Sequence, residues 1–77
     1  MSKEELSKYH AGFNACWQYY KKYATASNFN SDEFWQEVVT EADQIAKRYD
    51  SAFINKIIFA VIDELERMAR KARYEGI

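Results

Sequence analysis

FINKIIFAVIDEL, residues 53–65, decides how the chain folds. Nine of these thirteen residues are apolar, and no other window matches them. The central run Ile57, Ile58, Phe59, Ala60, Val61, Ile62 is β-branched and aromatic, which by local propensity favours a strand. Three features outweigh that preference. Apolar residues continue at helical spacing on both sides, through Ile54, Val61, Leu65, Met68 and Ala72. The downstream segment ELERMARKAR consists almost entirely of good helix formers. A lone strand would need a partner, and nothing else in the chain alternates with period two. The stretch therefore predicts the start of a long C-terminal helix that two other helices must cover. Its longest apolar run is six residues, far short of the about 20 that a membrane span requires.

Working outward, the chain of 77 residues is read as a single helical domain, residues 1–77. A chain this short buries only about 60% of its unfolded surface, so its stability is expected to be marginal. Aromatic residues make up 17% of the sequence and supply large buried area per side chain. Self-association is a second route to stability at this size. The net charge of −1 gives no electrostatic case for nucleic acid or an anionic membrane. A single cysteine excludes an intrachain disulfide and suits a reducing cytoplasm. The charged N-terminus MSKEELSKYH lacks an apolar signal core, so a protein that is not exported is expected.

Helix signals recur along the chain. Ser2 and Glu5 form a capping box before an apolar stripe of Leu6, Tyr9, Phe13, Cys16/Trp17, Tyr20 and Tyr23/Ala24. Gly12, with Ala11 and Ala15, makes a small-residue patch that permits close approach. Residues 24–30, ATASNFN, connect to a second helix, with Ser27 and Asn28 as turn formers, Asn30 as the N-cap and Glu33 as its box partner. The second helix carries Phe34/Trp35, Val38, Ala42, Ile45/Ala46 and Tyr49 on its apolar face. Asp50 and Ser51 are cap residues, yet neither forces a stop. A continuous helix would rotate the apolar stripe by roughly 130° between Tyr49 and Val61, so a turn that resets the phase is expected there. The fold class is thus all-α: a three-helix bundle with helices near 3–24, 31–49 and 51–73, and 74–77 fraying. The expected core is Leu6, Phe13, Tyr20, Trp35, Val38, Ala42, Ile45, Ile54, Ile57, Ile58, Val61 and Leu65. The alternative is a helical hairpin, its second and third helices fused, that dimerises into a four-helix bundle. Acid-to-base pairs at i,i+4 support the helices: Glu4–Lys8, Asp43–Lys47, Asp63–Arg67 and Glu66–Arg70.

No pattern in the sequence carries catalysis, a cofactor or a metal. His10 lacks the H-x-x-x-H or E-x-x-H partner that a metal or acid–base role needs. Cys16 lies on an apolar stripe, away from the electropositive setting that activates a thiol. Glu33, Glu37 and Glu41 form an i,i+4 ladder whose ordinary roles are solvation and intrachain pairing. Arg67, Arg70, Lys71 and Arg73 spread around the helix and complement its dipole. The aromatics are more informative. Tyr19 and Phe59 stand off the main stripes of their helices, and Ile62 lies at the edge beside Phe59. Neighbouring apolar residues that face away from a core mark an interface. The expected function is therefore a small non-enzymatic interaction or accessory/regulatory protein. It would self-associate as a homodimer, or bind a protein partner, through Phe59 and Ile62, with Tyr19 joining them. It needs no cofactor, small-molecule substrate or membrane. The alternative is a nucleic-acid-associated regulator using the basic C-terminal ends of a dimer. A steep loss of affinity with salt would distinguish the second reading.

Overall fold

In the computed structural model, residues 1–26 and 29–75 are described, with side chains through residue 72. The turn formers Ser27 and Asn28, the Arg73 and Tyr74 side chains and residues 76–77 lie outside the described residues. Three helices make up the fold: α1 (Lys3–Ala24), α2 (Asp32–Tyr49) and α3 (Ala52–Glu75).

Each helix begins at a serine. Ser2 is extended, and its hydroxyl accepts from the Glu5 amide at 3.2 Å. Ser31, rather than Asn30, caps α2 by accepting from the Phe34 amide at 3.4 Å. The shift by one residue moves Glu33 out of the box position. Ser51 caps α3, its hydroxyl 3.3 Å from the Ile54 amide. Between α2 and α3, Asp50 adopts the left-handed conformation (φ 42°, ψ 54°), and its amide donates to the Ala46 carbonyl at 3.0 Å. Aspartate is among the few non-glycine residues that tolerate this region. The break at Asp50–Ser51 separates α2 from α3 and excludes the fused hairpin within this chain.

The helices run up, down and up, so α1 and α3 are parallel. Gly12 of α1 lies against Ile54 at the start of α3 and Tyr49 at the end of α2. At the other end of α2, the Tyr23 and Phe34 rings meet edge to face with centroids 5.5 Å apart. Phe34 in turn touches Phe29 and Trp35, and the Trp35 indole donates to the Phe29 carbonyl at 2.8 Å. α3 thus starts level with Gly12, about halfway along α1. This offset accounts for the elongated shape, 51 × 19 × 17 Å, and for the exposure of every residue from 1 to 8.

The buried core comprises Cys16, Tyr19, Tyr23, Phe34, Val38, Ala42, Ile54, Ile58, Leu65 and Ala69. Val38, Ala42, Ile54, Ile58 and Leu65 were expected there. Trp35, Ile45, Ile57 and Val61 are half-buried and pack against it; Tyr20 is half-buried as well. Leu6 and Phe13 are corrections, because both are exposed. Leu6 lies beyond the start of α3 and has no helix beside it. Phe13 lies on a flank, because α1 turns one edge of the expected stripe inward, Cys16 and Tyr23, together with Gly12 and Tyr19. The inward face is centred about 75° from the middle of the expected stripe. Gly12 decides the rotation. A Cβ placed on it would fall 2.6 Å from Ile54 Cδ1 and 2.9 Å from Cγ1, so the Ile54 side chain occupies the space that a larger residue would fill.

Candidate functional site

The two flanks of α3 carry the candidate surfaces. On the α2 side, a groove of about 240 Å³ runs between the helices. Ala42 and Ala46 of α2 and Ile58 and Ile62 of α3 line it, with Val39 and Phe59 on opposite sides. Small side chains on α2 keep the groove open. Phe59 is 66% exposed and Val39 61% exposed, so these large apolar side chains stand in water. Ile62 is half-buried and packs against the core. Phe59 and Ile62 therefore border one surface, as neighbours three residues apart on a helix must. Asn55 also lines the groove, and its Oδ1 is buried without a hydrogen-bond partner.

Tyr19 does not join them, which corrects its assignment to an interface. It is 2% exposed, in the core between α1 and α2, and its hydroxyl donates to the Val38 carbonyl at 2.7 Å. This bond satisfies the polar tip of a buried phenol. Desolvation pushes the Tyr19 hydroxyl far above its ordinary pKa, with the neighbouring Tyr23, Glu41 and Cys16 adding to the effect. The Tyr23 hydroxyl is raised for the same leading reason.

On the α1 side, the surface is aromatic. Phe53 meets Tyr9 and Phe13 edge to face, with centroids 6.0 and 5.5 Å apart. Trp17 and Tyr20 are neighbours at 6.1 Å. Phe53 is 54% exposed, Trp17 56% and Phe13 43%, so the rings that close the gap between α1 and α3 are themselves exposed. Sequence reasoning missed this surface because Phe13 and Trp17 were assigned to the core stripe. The available signal was Gly12: a small residue in the middle of a helix marks the side that a neighbour approaches.

The remaining candidates are occupied or isolated. His10 is exposed, and Cys16 is buried, its thiol pushed above the ordinary value by desolvation. Glu41 of the acidic ladder pairs with Lys22 across α1 and α2 at 3.0 Å. That hydrogen bond and charge raise the Lys22 pKa. Among the described residues no group of three His, Cys, Asp or Glu side chains converges on a metal-sized site. Arg67 binds Glu64 at i,i+3 rather than Asp63 at i,i+4, with Nε 2.9 Å from Oε2. This bond lowers the Glu64 pKa. Asp43 and Lys47 pair as expected at 2.9 Å. No helix of the described residues is long and apolar enough to cross a membrane. No family model matches the chain, and no curated protein or solved structure matches it.

Proposed function

We propose that the protein is a small non-enzymatic interaction module of the cytoplasm that self-associates as a symmetric homodimer through the α2–α3 groove, in an accessory or regulatory role. The observation that supports this reading is the pairing of a projecting Phe59 with a groove floored by Ala42 and Ala46. A two-fold axis brings one patch against itself. Each Phe59 ring then enters the groove of the other copy, as a knob enters a hole. Full burial of a phenylalanine contributes roughly 1.5–3 kcal/mol, and the exposed Val39 adds to the same contact. Stable interfaces bury about 800 Å² per partner, so the dimer must also use the surrounding polar surface, including the Asp43–Lys47 pair. A nucleic-acid role has less support, because Arg67 of the basic segment is engaged by Glu64.

Sedimentation equilibrium tests the proposal. The wild type is expected to be a dimer at micromolar concentration, and Phe59→Glu a monomer with unchanged helicity. A wild type that stays monomeric at high concentration refutes the dimer, and unfolding of Phe59→Glu would place Phe59 in the core.

A further inference from the structure

The net charge of −1 averages over two unlike sides of the molecule. The outward surface of α2 is acidic: α2 contains five carboxylates, among them Glu33 and Glu37, against Lys47 and Arg48. The α1–α3 face lies on the opposite side of the bundle, and it differs in both charge and apolar character. α1 carries four lysines against two glutamates, but Lys22 is turned to α2, where it pairs with Glu41. Lys21 stands beside the ridge, its Nζ 6.0 Å from the Trp17 ring. Lys56 lies one turn beyond Phe53 and is exposed. Arg67 is close enough to Tyr20 to interact with it electrostatically. The acidic groups at this edge are Glu5, which shares a pocket with Tyr9 and Phe53, and Asp63 and Glu64, the last held by Arg67. The face is therefore a strip of exposed rings bordered by cations.

We propose that this α1–α3 face docks on an anionic lipid surface. Tyrosine and tryptophan rings settle at the level of lipid headgroups, and basic side chains beside them meet the phosphates. The Phe13 and Phe53 rings close the gap between α1 and α3. They leave a ridge there, whereas a docking helix needs a groove such as the one between α2 and α3. A deformable lipid surface takes a ridge without a matching hole. Trp17, Phe13 and Phe53 enter the headgroup boundary, Lys21 and Lys56 hold anionic headgroups, and the acidic surface of α2 faces away. The proposal rests on a surface that the Phe59 dimer does not use, so each can fail alone.

Co-sedimentation with vesicles tests it. The wild type is expected to pellet with phosphatidylcholine–phosphatidylglycerol vesicles at low salt, to stay in solution with phosphatidylcholine alone, and to be released at high salt. Trp17→Glu, and Lys21→Glu with Lys56→Glu, should each weaken binding by about tenfold or more. Glu37→Gln, on the opposite side, should leave it unchanged. Circular dichroism confirms that the variants remain folded. As a second readout, nitroxide-labelled lipid should quench the wild-type tryptophan emission, and Trp17→Phe should remove most of that quenching. A wild type that ignores anionic vesicles at low salt overturns the proposal. So does equal binding to neutral and anionic vesicles. If the ridge substitutions instead reduce the solution mass of the protein without lipid, the face is a contact between copies and the proposal is equally overturned.

Discussion

The two flanks of α3 share a floor but are finished differently. On the α2 side, Ala42 and Ala46 leave an open groove beside Phe59. On the α1 side, Phe13 and Phe53 fill the corresponding gap with their own rings. Both flanks expose large apolar side chains, yet one is an open groove and the other is filled by its own rings. Exposed apolar area alone therefore does not identify the kind of surface a site can meet. The size of the residues on the facing helix does: alanines make a receptor for a knob, and aromatics make the knob itself.

The shared floor carries the largest expected effect. Leu65 is fully buried in the core on which both flanks are built. Leu65→Ala should cost about 2–5 kcal/mol through lost burial and the cavity left behind. A thermal melt should show the bundle largely unfolded, with both surfaces lost together. A variant that melts like the wild type would mean the two flanks do not share this floor.

The next effect separates the two sides of α1. The side facing α2 is held by hydroxyl groups: Tyr19 donates to Val38, and Tyr23 to the Glu37 carbonyl at 3.4 Å. Cys16, Tyr19 and Tyr23 all have pKa values raised by burial, from ordinary values of 9.0 for the thiol and 10.0 for the phenols. In each case the folded state holds its proton where the unfolded state has lost it. Their contribution to stability is then constant below pH about 9 and falls as pH rises further. Denaturant melts between pH 7 and 11 should show this decline, and Tyr19→Phe should make it shallower. At neutral pH, Tyr19→Phe should cost about 1 kcal/mol for the lost hydrogen bond. An alkaline limb unchanged in Tyr19→Phe would show that this phenol does not drive the decline.

The smallest effect bears on the comparison most directly. Phe53→Ala removes a ring packed against Tyr9 and Phe13 and should cost about 1 kcal/mol in the monomer. Phe59→Ala, which removes a mostly exposed ring, should change monomer stability by less than about 0.5 kcal/mol. Equal losses, measured by chemical denaturation at a concentration where the chain is monomeric, would erase the distinction between a filled flank and an open one.

Much of this architecture was legible in the residue pattern. The serine cap at 2, the break near Asp50 and the inward faces of α2 and α3 follow from spacing; α3 starts one residue later than expected, with Ser51 as its cap. Phe59 was legible for the same reason, since a large ring off the stripe of a helix has nowhere to be buried in a small bundle. The orientation of α1 was not legible. Its apolar residues cover two adjacent stripes, one through Leu6, Phe13 and Trp17 and one through Gly12 and Tyr19, with Cys16 and Tyr23 of the expected stripe at the edge between them. Hydrophobicity favours the first. The fold uses the second, because Gly12 admits Ile54 and because Val38 offers Tyr19 an acceptor. Both reasons lie on other helices, so no reading of α1 by itself contains them. The exposure of Phe53 follows in turn from which side of α1 it meets.

The offset between α1 and α3 also divides the molecule by the free energy needed to open it. Residues 1–8 touch no neighbouring helix closely enough to be buried, and their order rests on the Ser2 cap and the backbone ladder, including the 3.0 Å bond from the Leu6 amide to the Ser2 carbonyl. At the far end, residues 70–72 of α3 are likewise exposed beyond Ala69. Isolated helical turns of this length are marginal in water. The two tips therefore open locally, at little cost and independently of each other, while the amides of the packed helical segments, such as those of Val38, Ile58 and Leu65, open only when the whole bundle does.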